Sequence, residues 1–182
     1  QMLADLLPSK PVHMVGWDLN DRPLLECIKA HGVLSKELWE PYERELDQVK
    51  VHIPPEASLD LPGQVERLKK DILAFKEQYP HAKSVLINLL PAAPTIDLNR
   101  LEDLSQLYSE VAPEDLPDLP YIIAAILTGV PIVNFTPNQV EIPVVIKEAI
   151  KQGVPMSGRD GKTGQTYLKV VLASALKARN LI

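Results

Sequence analysis

The chain has 182 residues, a formal net charge of −5 and a hydrophobic fraction of 46%, which suits one domain, or one and part of another, with an ordinary buried core. The mild acidity and the lack of any local block of lysine and arginine argue against a nucleic-acid partner. The single cysteine, Cys27, excludes a disulfide within the chain, as fits a reducing compartment.

In chain order, residue 1 is Gln rather than Met, and residues 2–7 already look helical. Such an opening is expected of a processed or truncated product, or of a sequence only partly represented. No basic region followed by an apolar one opens the chain, so no secretory signal is expected. Residues 12–15 predict a short strand, followed by Gly16-Trp17-Asp18. Asn20 or Asp21 could cap the next helix, with Pro23 in its first turn and Gly32 just past its end near Ala30. A second helix is predicted over 35–49, with Ser35 as its N-cap.

Residues 53–62 form a proline-bearing connection. Residues 64–78 then carry Val65, Leu68, Ile72, Leu73 and Phe75 at helical spacing. Residues 84–90 are apolar apart from Ser84 and Asn88, and the run reads as a strand covered on both faces. Residues 98–111 are helical again, and 113–120 form a second proline-rich connection. A buried helix over 121–127 ends at Gly129. Residues 131–135 predict a strand, and 142–152 a helix with Pro143 in its first turn and Gly153 after it. A very short strand over 154–156 and a helix over 164–179 complete the chain. The apolar stretch 121–135 is shorter than a membrane span and contains Thr128, Gly129, Pro131 and Asn134, so it reads as core and no membrane partner is expected. The alternation predicts an α/β fold, a parallel sheet flanked by helices, with ligands at the carboxyl ends of the strands.

The loop after the last strand reads Gly158-Arg159-Asp160-Gly161-Lys162-Thr163-Gly164-Gln165-Thr166. Its glycines admit close approach of a ligand, and the amides of the following helix favour anions. Lys162 adds positive charge, and Lys169 lies two turns along the helix. A solvated turn with an exposed lysine is the plainer alternative. A nucleotide P-loop is excluded, because that motif needs a glycine where Met156 stands. Asn134-Phe135-Thr136-Pro137-Asn138, after the third strand, could orient a sugar or cofactor amide, or could be turn chemistry. Asp18 could accept a hydrogen bond from a ribose hydroxyl, or belong to the turn before the next helix. Asn88, inside an apolar strand, needs a partner, either protein or ligand. His13, His31, His52 and His81 show no metal-ligand spacing among themselves or with Cys27, so no metal site is expected from protein side chains.

Taken together, Gly16-Trp17-Asp18, Asn134 to Asn138 and Gly158 to Thr166 resemble, in order and spacing, segments of the inositol-3-phosphate synthase family. The resemblance extends over nearly the whole chain. Arg159 stands where many members have aspartate, and Tyr167 where eukaryotic members have another lysine. The combination Gly161-Lys162-Thr163-Gly164 is more similar to prokaryotic members, and the long insertions of the eukaryotic forms are absent, so a bacterial or archaeal-type protein is expected. The resemblance implies a partial chain. Residues 1–157 would supply the second half of an NAD-binding Rossmann-like domain. Residues 158–182 would supply the active-site loop and first helix of a catalytic and tetramerisation domain.

The family's reaction is an isomerisation of glucose 6-phosphate to inositol 3-phosphate by oxidation, enolisation, intramolecular aldol closure and reduction. It belongs to inositol and phospholipid biosynthesis in the cytoplasm. The resemblance implies NAD as cofactor, with a divalent or monovalent cation left open. It also implies a sugar-phosphate substrate and a homotetramer. It assigns catalytic roles to Lys162, Lys169 and Asp160, and cofactor contacts to Asp18, Asn88, Gly158 and Asp160. Substrate contacts fall to Asn134, Thr136, Asn138, Thr163 and Gln165. Two other readings stay open: a non-catalytic binding or assembly relative, and an NAD-dependent dehydrogenase with net turnover.

Overall fold

The computed structural model describes residues 12–18, 22–159, 161 and 164–179; the side chains of Lys50 and of residues 164–166 are outside that description. The chain divides into two compact units, Gln1–Pro55 and Glu56–Ile182. Among the described residues no helix is long and apolar enough to cross a membrane.

In the first unit, β1 (Val15–Trp17) pairs in parallel with β2 (Lys50–His52), Gly16 lying opposite Val51. The sequence reading placed β1 two to three residues earlier and missed β2, which is short and follows a helical pattern directly. Helix α1 (Leu24–His31) starts after Pro23 and ends at Gly32, whose φ of 60° is the left-handed conformation a C-terminal glycine supplies. The helix predicted over 35–49 is broken into α2 (Lys36–Trp39), a 3-10 turn (Glu40–Tyr42) and α3 (Glu43–Asp47). Pro41 is the cause: it has no N–H to give and its ring crowds the preceding turn. Lys29 ties α1 to this segment. Its Nζ lies 3.0 Å from Glu43 and 5.2 Å from the centre of the Trp39 ring. Leu25 is the buried hydrophobic residue of this unit among the described residues.

The second unit holds the main core. Helix α4 (Leu61–Gln78) is capped by Asp60, whose Oδ1 accepts from the Gly63 N–H at 2.9 Å. Its apolar stripe, Leu61, Val65, Leu68 and Ile72, is buried. It packs against α6 (Leu119–Leu127), where Leu119, Pro120 and residues 122–126 are all buried. This confirms the predicted core helix and extends it by two residues. Lys76 closes the contact from α4 by donating to Thr128 O, at the carboxyl end of α6, at 2.7 Å. The helix predicted over 98–111 is only α5 (Leu104–Glu110), because Asp103 caps it by accepting from Gln106 N–H at 2.9 Å. Helix α7 (Pro143–Gln152) begins on its proline and ends at Gly153, φ 65°, as the sequence predicted.

Three parallel strands run in the order β3 (Leu86–Asn88), β4 (Ile132–Asn134) and β5 (Met156–Gly158). Strand β5 lies two residues later than predicted, since Pro155 serves only as an acceptor, taking the Ile132 N–H at 3.1 Å. The expectation that β3 is covered on both faces is overturned. Asn88 is buried, whereas Val85, Ile87 and Leu89 are 52%, 52% and 74% exposed. A strand turns alternate residues to opposite faces, and only one face of this edge strand meets the core. Helix α8 (Gly164–Ala178) follows; its Tyr167, Leu168, Val170, Val171 and Leu172 are exposed.

Candidate functional site

The carboxyl ends of the three strands lie side by side. The register pairs Asn88 with Asn134, and Asn134 with Gly158. Ligands bind beyond such ends in open parallel sheets. Around them stands a polar cluster of Asn88, Asp118, Asn134, Thr136 and Asn138, none more than 6% exposed.

Its hydrogen bonds form one connected set. Asn88 Nδ2 donates to Asp118 Oδ2 and, at 3.2 Å, to Asn134 Oδ1. Asn88 Oδ1 accepts from Leu90 N–H at 3.2 Å. Asn134 Oδ1 also accepts from the Thr136 amide at 3.0 Å and the Thr136 hydroxyl at 2.7 Å. The Thr136 hydroxyl in turn accepts from Asn138 N–H at 3.1 Å. Asn138 Nδ2 donates to Asp118 and to Pro91 O, each at 2.9 Å, while its Oδ1 accepts from Ala93 N–H at 2.8 Å. Every polar atom of these side chains therefore has a partner within the protein, which is what burial demands.

These contacts give each of the residues protein partners. The partner of Asn88 is protein: Asp118 and Asn134. Asn134, Thr136 and Asn138 face inward, tying the β4 loop to residues 91–93 and to the start of α6. Asp118 is a buried carboxylate that accepts from the amides of Asn88 and Asn138, and sequence reasoning missed it because it looked like an ordinary residue of a proline-rich connection. Burial raises the Tyr121 hydroxyl above its ordinary value, and the Asp118 charge adds to that rise.

Glu141, also missed, continues the cluster outward: its Oε1 accepts from Asn134 Nδ2 at 3.4 Å, and its Oε2 lies 3.4 Å from Arg159 Nε. That second contact is within ion-pair reach but not aligned as a hydrogen bond. Of the predicted loop residues, Gly158 closes the sheet end, and Lys169 is exposed on α8. Asp160, Lys162 and Thr163 lie outside the described residues, as does the side chain of Gln165. Asp18 belongs to the first unit, on an open cleft of about 250 Å³ that it shares with Leu24, Cys27, Ile28, His31, Val33 and Leu34. Among the described residues no three His, Cys, Asp or Glu side chains gather as a metal site would require.

A parallel α/β unit with polar loops at the carboxyl ends of its strands is the architecture of nucleotide-binding proteins. Residues 1–177 match the family model described as myo-inositol-1-phosphate synthase, one of NAD-binding type. The chain belongs to the myo-inositol-1-phosphate synthase family, a family of NAD-using isomerases of inositol biosynthesis. It is 27% identical to inositol-3-phosphate synthase of Saccharomyces cerevisiae, over 88% of this chain and 36% of the relative. With the inositol-3-phosphate synthase of Brassica napus it shares 28% identity, over 96% of this chain and 38% of the relative. The crystal structure of inositol-3-phosphate synthase from Caenorhabditis elegans has the same fold, with a TM-score of 0.71 at 19% identity, over 85% of this chain and 35% of that one. The chain thus spans little more than a third of the length of these relatives.

Proposed function

We propose that the protein to which this chain belongs converts glucose 6-phosphate to inositol 3-phosphate. In this reading the chain contributes part of the NAD site and one wall of the catalytic site. The observation that carries it is the alignment of Asn88, Asn134 and Gly158 at one sheet end, leading directly into the loop 158–164 of a chain that matches the family over residues 1–177.

NAD, when bound, supplies reversible acceptance of a hydride. The chain's residues hold, orient and neutralise. Asp18 accepts from a ribose hydroxyl. The buried set of Asn88, Asn134, Thr136 and Asn138 fixes the loops that meet cofactor and sugar, so that these loops need not reorganise when ligand arrives. Lys162 and Lys169 stabilise negative charge as it develops on a sugar oxygen, an effect that strengthens where water is excluded. Asp160 orients a lysine or meets the nicotinamide end of the cofactor, and Thr163 and Gln165 contact the sugar phosphate. The residues beyond this chain complete the site, and the assembly is a homotetramer in the cytoplasm.

Lys162→Ala in the whole protein is expected to lower turnover by at least about a hundredfold, as loss of one preorganised electrostatic group does, without shifting the thermal midpoint. The assay follows inositol phosphate formation from glucose 6-phosphate with NAD present. Unchanged turnover would remove Lys162 from the mechanism. NADH accumulating in step with substrate loss would instead indicate a dehydrogenase. Absence of heat on titration with NAD would indicate a non-catalytic relative.

A further inference from the structure

The strand ends are joined one step beyond the paired segments, through Phe135. Its N–H donates to Asn88 O at 3.1 Å, and its carbonyl accepts from Gly161 N–H at 3.0 Å. The main chain of Phe135 is therefore held on both sides, on one of them by a residue of the buried cluster. Its ring is not core: Phe135 is 50% exposed, whereas Ile132 at the start of the same strand is buried.

The ring lies against Gly161. A Cβ added there would fall 2.6 Å from Phe135 Cδ1, well inside the distance at which two carbon atoms attract. Gly158 is a different case. An added Cβ would overlap the carbonyl oxygen of Asn134, and its φ is 142°, so the main chain itself requires glycine. At Gly161 the nearest obstacle is a side chain. A rigid ring on a main chain held from both sides is a firm surface, and the chain that passes over it continues directly into Lys162.

We propose that Phe135 is a positioning residue: its ring is the seat on which the chain after β5 rests, and that seat sets where Lys162 stands. The inference rests on the function proposed above, in which Lys162 stabilises charge developing on a sugar oxygen. Such stabilisation depends on a fixed position, and a displacement of about 1 Å can cost as much as a hundredfold in rate. An interaction made only in the transition state shows in kcat and leaves KM in place.

The test uses the whole protein. Inositol phosphate formation from glucose 6-phosphate is followed with NAD present, and hydrogen exchange is read over residues 159–163. Phe135→Ala is expected to lower kcat about tenfold to a hundredfold at an unchanged KM and to speed that exchange. The thermal midpoint, set by the core around α4 and α6, should stay. Phe135→Leu keeps a Cδ1 against Gly161 and recovers most of the lost turnover. Gly161→Ala pushes against the ring and lowers kcat in the same way. Removing the ring makes room for the added methyl group, so Phe135→Ala combined with Gly161→Ala should turn over about threefold faster than Gly161→Ala alone. Equal or slower turnover in the combined variant would overturn the proposal, because glycine at 161 would then answer to the main chain. A Phe135→Ala effect confined to KM, or no effect, would overturn it as well. If the unsubstituted protein forms no inositol phosphate, the proposed function falls, and exchange alone decides for the seat: faster in Phe135→Ala upholds it, unchanged overturns it.

Discussion

Asp118 gathers amide donors from a strand end and a loop: Asn88 is 30 residues away in sequence and Asn138 is 20. Replacing it by Asn sets an NH2 group against donors that cannot turn around. Asp118→Asn is therefore expected to lower stability by about 1–3 kcal/mol, the cost of a buried polar group left without its partner. A urea titration measures this, and an unchanged midpoint would mean that the cluster relaxes without loss. Tyr121 offers an independent test. Burial first, and then the Asp118 charge, raise its hydroxyl above the ordinary phenol range; Tyr108 is raised by burial and by the Glu66 and Glu148 charges. The folded state then holds these protons more tightly than the unfolded state does. Their contribution to stability is complete below the ordinary phenol pKa and is lost as pH climbs from there through the folded value. Tyr121→Phe should flatten the alkaline decline of the denaturant midpoint, and its phenolate absorbance should lack one late-ionising group.

At the scale of elements, the helix ends were the most legible part of the sequence. Gly32 and Gly153 stop α1 and α7 in the left-handed conformation, and Pro143 starts α7. These are local signals, written within a few residues of the structure they cause. Four of the five strands among the described residues were located to within two or three residues, and β2 was missed, because a three-residue strand has no sequence signal for its ends. Pro41 stands inside the helical pattern and breaks it locally, a signal as local as the glycine stops. What sequence could not supply was long-range pairing. Asn88 needed a partner, but nothing in the chain pointed to Asn134, 46 residues on, or to Asp118. The end loops were identified, whereas the inward orientation of Asn134, Thr136 and Asn138 depends on that pairing. Capping by Asp60 is a local device of the same kind as the glycine stops. Asp60→Ala should cost about 1 kcal/mol, seen as a lower thermal midpoint and a frayed first turn of α4 in hydrogen exchange; equal protection of that turn would contradict the assignment.

Among the described residues the two units differ in their buried apolar side chains. The second, with α4 and α6 face to face, holds nearly all the fully buried side chains among the described residues, whereas the first has Leu25. The Asp18 cleft lies on the first unit. The sheet of the second unit has its own imbalance, in that one face meets the helices and the other shows Ile87 and Phe135 to solvent.

That bare edge has a practical side. An edge strand whose apolar side chains face water is a template for another strand, and crowded copies can join along it. Handled by itself at high concentration, the polypeptide is expected to form self-associated, strand-paired particles. Ile87→Lys, a charge in the middle of the edge, should raise the concentration reached before light scattering rises and leave the melting curve of the helices in place. Equal scattering would shift the blame to the apolar surface of α8. Storage, labelling and crystallisation conditions would then be chosen to protect that helix instead.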